Sequence, residues 1–191
     1  MNKIAMLTTK SITMIIILFT TTIVAQDFQK LDEVPQDIAY LRASSVSMPM
    51  VKVIYGRPSL KGDKEQLTDQ ISYGNIWRTG ANEATEVKFY KDIFFGETLV
   101  KAGTYVLLTI PGEKEWEIIL NSEVDTWGAF QYNPSTNVAQ IKVTVKKAER
   151  LSVFSIGFKR INKNANMVLA WDQTRVSIPI KFTEEYYYAK L

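Results

Sequence analysis

The sequence predicts an all-β protein built as an antiparallel β-sandwich of about nine short strands. Apolar and polar residues alternate in several segments, most clearly in residues 141–146 and 175–182, and a period of two residues is typical of strands with one buried face. Turn residues separate these segments at short intervals. No stretch shows a sustained 3.6-residue apolar period with helix caps. A closed β-barrel is the alternative architecture.

The first 25 residues have the features of a cleaved signal peptide. Lys3 and Lys10 give a basic start, residues 12–19 are apolar, and Ala25 is the small residue that signal peptidase needs before Gln26. From Ser11 to Ala25 there are only 15 residues, fewer than the roughly 20 apolar residues that span a bilayer. We therefore expect export to the periplasm, the cell surface or the medium. Residues 26–191 would form a single β-sandwich domain with no transmembrane segment.

The first half of the domain is expected to begin with a lead-in segment, residues 27–41, and to have room for one or two helical turns in residues 64–72. A hairpin signal lies at Pro111-Gly112, because proline fixes φ and glycine takes positive φ cheaply. The predicted strands of this half are residues 51–55, 86–90, 93–95, 104–110 and 116–120.

The second half of the domain is expected to contain four further strands. Pro179 lies inside the last of them and indicates an edge position or a bulge, because proline cannot donate a hydrogen bond to a neighbouring strand. The predicted strands are residues 141–146, 154–158, 167–171 and 175–182.

Composition excludes most familiar catalytic and metal-binding chemistry. The chain has 191 residues with no histidine and no cysteine, so Ser-His-Asp and Cys-His catalysis cannot be assembled. Zinc and copper sites built on imidazole or thiolate are excluded for the same reason. Without the leader's two lysines the net charge of +3 falls to +1, which predicts no nucleic-acid partner. We expect no metal and no cofactor.

The densest group of polar and aromatic residues lies in the segment 77–83 and contains Trp77, Arg78, Asn82 and Glu83. A guanidinium fork, an amide and a carboxylate in one loop are suited to orienting a small polar ligand or a sugar. The alternative is structural, with Arg78 and Glu83 paired to each other or to the backbone and Trp77 anchoring the loop in the core.

Two further positions are candidates for the same ligand site. Arg57 is held in a turn by its glycine and proline neighbours, and its alternative is an ordinary turn arginine. Trp127, with Phe130 and Tyr132 close behind it, offers an aromatic platform for a sugar ring. The alternative for Trp127 is packing between the two sheets.

Several strings of this sequence have the character of family motifs. They are Gly56-Arg57-Pro58, the segments 77–85, 102–105 and 110–116, and Trp127-Gly128-Ala129-Phe130. These strings resemble motifs of one bacterial family, catalogued as domain of unknown function 2911, and the resemblance covers residues 36–182. It implies an exported protein with a single globular domain, and it supplies no activity, ligand or catalytic residue.

The leading functional hypothesis is a non-enzymatic module that binds a small polar ligand, a glycan or another envelope protein. Arg57, Trp77, Arg78, Asn82, Glu83 and Trp127 would line its site. An alternative is a hydrolase acting on carbohydrate, in which Glu83 works with Asp125 or Asp172 across the substrate. A structural envelope protein without a small-molecule site is the third hypothesis. No catalytic residue is assigned.

Overall fold

The computed structural model of the chain describes residues 32–183. The predicted signal peptide lies outside these residues, so the export prediction is not addressed by the fold. The chain divides into two compact units, Met1–Asp32 and Glu33–Leu191, and the strands found in residues 32–183 all belong to the second unit.

The described residues contain nine β-strands and little helix, which confirms the all-β prediction. The short helix α1 covers Leu67–Gln70, inside the segment expected to hold helical turns, and Pro134–Thr136 forms a 3₁₀ turn. Within residues 32–183 no helix is long and apolar enough to cross a membrane. The strands are β1 (Gln36–Arg42), β2 (Pro49–Gly56), β3 (Glu86–Phe89), β4 (Ile93–Phe95), β5 (Thr98–Val100), β6 (Gly103–Ile110), β7 (Glu115–Asn121), β8 (Asn137–Ile161) and β9 (Asn164–Phe182).

All nine strands belong to one antiparallel sheet in the order β1-β2-β3-β6-β7-β8-β9-β4-β5. The sheet is open, because β1 and β5 stand at its two ends and do not pair with each other. The closed-barrel alternative therefore does not describe the fold. Both halves of the sheet contribute buried residues to one shared core, as in a β-sandwich.

Strand β8 takes part in both layers. Its first part pairs with β7 up to Thr144, and its second part pairs with β9 from Val145 onward. Two register shifts interrupt the β8–β9 pairing, on either side of Leu151. Such irregularities bend a strand and increase its twist, so a single long strand can cross from one layer to the other.

The core is rich in aromatic side chains from both layers. The ring of Phe154, on β8, lies 5.7 Å from the Tyr55 ring and 5.8 Å from the Trp171 ring, both in edge-on geometry. The Trp77 ring stacks on Trp171 at 5.9 Å and meets Trp116 edge-on at 6.0 Å. These contacts join β2, β7, β8 and β9 across the interior.

Two expectations about the strands are corrected. The segment expected to lead into the fold contains β1, an edge strand whose outward residues Ile38 and Tyr40 are apolar or aromatic, so its alternation is weak. The last four predicted strands are two long ones, because bulges break the alternation of β8 without ending it. Pro179 lies between the part of β9 that pairs with β8 and the part that pairs with β4. At this position no strand partner is assigned to it, so its missing N–H group interrupts no assigned pairing.

Candidate functional site

Two loops pair with each other outside the strands and carry most of the predicted site residues. Glu83 and Trp127 form an isolated antiparallel bridge. The amide of Ala84 donates to the carbonyl of Thr126 at 3.0 Å, and the amide of Gly128 donates to the carbonyl of Asn82 at 3.1 Å. The segments 78–85 and 126–130, far apart in sequence, are thereby held side by side.

A close backbone contact fixes the first of these loops on the sandwich. A Cβ atom on Gly56, at the end of β2, would lie 2.2 Å from the Ala81 carbonyl oxygen. A Cβ atom on Gly80 would lie 2.9 Å from Oγ1 of Thr85 and 3.1 Å from the Gly56 carbonyl oxygen. Only glycine allows backbones to approach this closely, which gives a packing reason for the glycines in these two motif strings.

Buried threonines satisfy the loop's polar backbone. The Thr85 hydroxyl donates to the Thr79 carbonyl at 2.7 Å, and the Thr79 and Thr109 hydroxyls lie 3.2 Å apart. All three residues are fully buried. Thr79 and Asn82 have positive φ values of 56° and 60°, a conformation that non-glycine residues adopt only when the surroundings enforce it. The loop therefore has one well-defined backbone path.

Trp77 anchors the loop from below instead of lining its surface. Its side chain is 9% exposed and packs among the core aromatics, and its indole nitrogen donates to the Gly80 carbonyl at 3.1 Å. This is the structural alternative for Trp77. Its ring offers no exposed face to a ligand.

Arg57 holds the two layers together and does not face the paired loops. Its guanidinium forms an ion pair with Asp37 at 3.0 Å, and donates to the Phe154 carbonyl at 3.3 Å and to the Ser155 hydroxyl at 3.1 Å. These partners lie on β1 and β8. Because its guanidinium is engaged by all three partners, Arg57 has a structural role in linking β1 to β8. We therefore leave Arg57 out of the candidate site.

Two aromatic side chains on the second loop, three residues apart in sequence, are exposed to solvent. Trp127 is 57% exposed and Phe130 is 85% exposed. Between them Gly128 takes a positive φ of 68°, and a Cβ atom there would lie 3.2 Å from the Phe130 ring. The core-packing alternative for Trp127 is therefore not what the fold adopts, and Phe130, named with it as part of the aromatic platform, is exposed as well.

Arg78 lies against the second loop at Gly128. A Cβ atom on Gly128 would also lie 3.8 Å from its Cδ. Its Nε is buried and has no hydrogen-bond partner in the described part of the chain, and burial lowers the pKa of its guanidinium. Glu83 is exposed, and none of the ion pairs recorded for residues 32–183 joins it to Arg78. The expected structural pairing of these two residues does not form.

We call the set Arg78, Asn82, Glu83, Trp127 and Phe130 the Arg78–Trp127 surface. Its aromatic faces are suited to stacking on an apolar ring face, and its guanidinium supplies fixed donors. The Glu83 carboxylate is an acceptor open to solvent. Among residues 32–183 no cluster of three carboxylates that could hold a metal ion is found.

A groove that contains Asp172, one of the carboxylates named for the hydrolase hypothesis, lies elsewhere. It has a volume of about 680 Å³ and includes Asp172 and Arg150 but not Glu83. The Asp172 carboxylate accepts hydrogen bonds from Arg150 Nε at 3.3 Å and from the Leu67 amide at 3.2 Å. Asp172 thus accepts from the first turn of helix α1 and positions Arg150.

The comparisons with known proteins agree with the motif strings. The family model described as "Protein of unknown function (DUF2911)" matches residues 39–180, which covers most of the described sandwich and both paired loops. No curated protein and no solved structure matches the chain. The Arg78–Trp127 surface therefore lies within the region that the family model matches. The description of the family names no ligand for this region. The chain belongs to the DUF2911 family.

Proposed function

We propose that the protein is an exported, non-enzymatic module that binds a glycan through the Arg78–Trp127 surface. The observation that carries this proposal is the exposure of Trp127 and Phe130 on the loop whose Gly128 lies against the side chain of the partly buried Arg78. Exposed aromatic side chains that adjoin one another commonly mark a binding surface. The half-buried guanidinium of Arg78 supplies N–H donors beside these aromatic residues.

A sugar ring matches this arrangement chemically. One face of a pyranose carries C–H groups that pack on an indole or phenyl ring, and its edge carries hydroxyls. Arg78 donates to such hydroxyls, and the Glu83 carboxylate accepts from them. Because the loop backbone is fixed by Gly56 and the buried threonines, little conformational entropy is lost on binding.

Export is the second part of the proposal and rests on the leader. The basic start, apolar run and small residue at Ala25 support cleavage before Gln26. Expression of the complete chain followed by mass determination of the exported protein tests this part separately. A mature protein beginning at Gln26 is expected. Retention of the intact leader would contradict it.

The binding test is a screen of the purified protein against soluble polysaccharides and peptidoglycan fragments. A ligand present at about 100 times its dissociation constant stabilises the folded state by about 2.7 kcal/mol, which is visible as a higher unfolding temperature. Affinity electrophoresis in gels that contain the polysaccharide then gives the dissociation constant.

Two variants and one control define the site. Trp127→Ala removes the platform and is expected to weaken glycan binding at least tenfold, because a stacked aromatic residue is often among the few that dominate an interface. Arg78→Gln removes the charge and is expected to weaken it as well. Phe94→Ala removes a comparably exposed aromatic from β4 and should leave binding unchanged. Equal affinity of Trp127→Ala and Phe94→Ala for the glycan would refute the assigned site.

The hydrolase and structural-protein hypotheses stay predictions without an observation that favours them. A carboxylate-dependent hydrolase needs two carboxyl groups facing one substrate. Asp172 is engaged by Arg150 and the Leu67 amide. Asp125, two residues before the Trp127 that pairs with Glu83, is the other carboxylate named for this hypothesis. Release of reducing ends from a glycan that the protein binds would establish hydrolysis. A purely structural protein would show neither binding nor turnover.

A further inference from the structure

The outward face of strands β1, β2 and β3 collects basic and aromatic side chains at one row of the sheet. Tyr40 on β1 lies opposite Lys52 on β2, and Lys52 lies opposite Lys88 on β3. Directly opposed residues point to the same face, and the alternate residues Val51 and Val53 face the core. The row therefore presents a tyrosine and two lysines to solvent.

Two cation–π contacts extend this row. The Arg42 guanidinium lies 4.5 Å from the centre of the Tyr40 ring, and the Lys88 ammonium lies 5.1 Å from the centre of the Tyr90 ring. We call Tyr40, Arg42, Lys52, Lys88 and Tyr90 the β1–β3 basic face. Its aromatic rings hold two of its three cations in place.

Three cations and one carboxylate, that of Glu86, lie on this face. None of the ion pairs recorded for residues 32–183 includes Arg42, Lys52 or Lys88. Glu86, on the same face of β3, accepts a hydrogen bond from the Asp125 amide at 2.9 Å. Opposed like charges on neighbouring strands destabilise a sheet, so the Lys52–Lys88 pair favours an anionic partner.

An apolar loop tip adjoins the same face. The loop between β1 and β2 exposes Val46 and Met48, at 85% and 77%. The loop is ordered by the Ser47 hydroxyl, which donates to the Ser44 carbonyl at 3.0 Å, and by Arg42 Nη1, which donates to the Ser47 carbonyl at 2.6 Å. Arg42 thus links the exposed tip to the basic face.

We infer that the β1–β2 loop tip and the β1–β3 basic face form a docking surface for an anionic lipid bilayer. Shallowly inserted apolar side chains, tyrosines at headgroup depth and lysines or arginines beside them are the features that bind a protein to such a surface. Charge complementarity identifies the partner, since each basic residue near an anionic leaflet contributes attraction. The surface shares no residue with the Arg78–Trp127 surface.

The test is co-sedimentation of the exported protein with vesicles at low ionic strength. We expect binding to an equimolar mixture of phosphatidylcholine and phosphatidylglycerol, and little binding to phosphatidylcholine alone. Salt is expected to weaken the binding, because the screening length falls from about 10 Å at 0.1 M to about 3 Å at 1 M.

Paired variants separate the contributions. Lys52→Gln with Lys88→Gln should lower the partition coefficient by about fivefold per lysine, or about 25-fold together. Val46→Ser with Met48→Ser should lower it about tenfold. The control, Lys142→Gln with Lys146→Gln, removes two exposed lysines from β8 and should change it by less than about twofold. Unfolding temperatures are compared to confirm that every variant is folded.

Three results would overturn the inference. These are failure of the folded protein to sediment with the anionic vesicles, equal sedimentation with both vesicle types, and an equal loss of binding in the β8 control. Because the variants and the control have the same N-terminus, any residual leader affects them alike.

Discussion

Gly56→Ala is the substitution that the structure constrains most strongly. The new Cβ atom would lie 2.2 Å from the Ala81 carbonyl oxygen and 2.9 Å from the Ala81 carbonyl carbon, well inside the roughly 3.5 Å of a favourable contact. Both clashing atoms belong to the backbone, so no side-chain rotation relieves the clash. Either β2 or the loop that carries Arg78 has to move.

The expected cost of Gly56→Ala follows from this geometry. Overpacking a well-packed site costs about 1–3 kcal/mol, and a backbone clash belongs at the upper end, near 3 kcal/mol. For a chain of this length each kcal/mol lowers the unfolding temperature by about 2–4 °C. The unfolding temperature is therefore expected to fall by about 6–12 °C.

The assay is denaturant unfolding followed by tryptophan fluorescence, with Gly157→Ala as the matched control. A Cβ atom on Gly157, on β8, would meet no atom within 4 Å. Its substitution is expected to change the free energy of unfolding by less than about 0.5 kcal/mol. If Gly56→Ala proved as harmless as Gly157→Ala, the close contact between β2 and the site loop would be refuted.

Three further substitutions test other contacts. Two of them remove hydrogen bonds that hold the loop or the two layers in place, and the third removes the ion pair between Asp92 and Lys101. Thr85→Val leaves the buried Thr79 carbonyl without its donor and should cost about 1–2 kcal/mol in denaturant unfolding; an unchanged midpoint would contradict the network. Arg57→Met removes an ion pair and two hydrogen bonds between the layers and should cost about 1–2 kcal/mol, with no effect on glycan binding. The hydrogen bond from Lys101 lowers the pKa of Asp92 below its ordinary value of 3.8, so this carboxylate stabilises the fold above that pH and the stabilisation is lost as the pH falls through the lowered pKa. Asp92→Asn should therefore lower the unfolding temperature at neutral pH and have a shrinking effect below pH 3.8; a gap that stays constant with pH would contradict this pairing.

Much of the sandwich is predictable from the sequence because its inner and outer residues alternate. Val51 and Val53 are fully buried while Lys52 between them is not, and this pattern places β2 correctly. Strand β1 escapes prediction because Ile38 and Tyr40, apolar or aromatic, point outward at a sheet edge. The bulges around Leu151 interrupt the alternation of buried and exposed residues in β8, so the sequence predicts two strands where the structure has one.

The candidate site is predictable in part, and the reason lies in contacts between distant segments. Arg78, Asn82, Glu83 and Trp127 do come together, but only because the bridge between Glu83 and Trp127 joins two loops. Whether a tryptophan packs in the core or faces solvent does not follow from its own segment. Local composition is similar around Trp77 and Trp127, yet the fold buries the first and exposes the second.

The β1–β3 basic face is even harder to predict from the sequence, because it too depends on contacts between distant segments. Tyr40, Lys52 and Lys88 lie on three strands separated by loops, and only the strand register aligns them. The overall charge, nearly neutral without the leader, conceals this local concentration of cations. The only signal of this face in the sequence is that its lysines fall at positions where the alternating pattern of a strand points outward.

The most direct test of glycan binding uses the distribution of the four tryptophans. Trp77, Trp116 and Trp171 are buried and Trp127 is exposed, so acrylamide should quench mainly the emission of Trp127. A polysaccharide that binds the Arg78–Trp127 surface is expected to protect this emission and to reduce quenching to the level of a Trp127→Phe variant. A polysaccharide that binds tightly while Trp127 remains fully quenchable would show that the glycan site lies elsewhere.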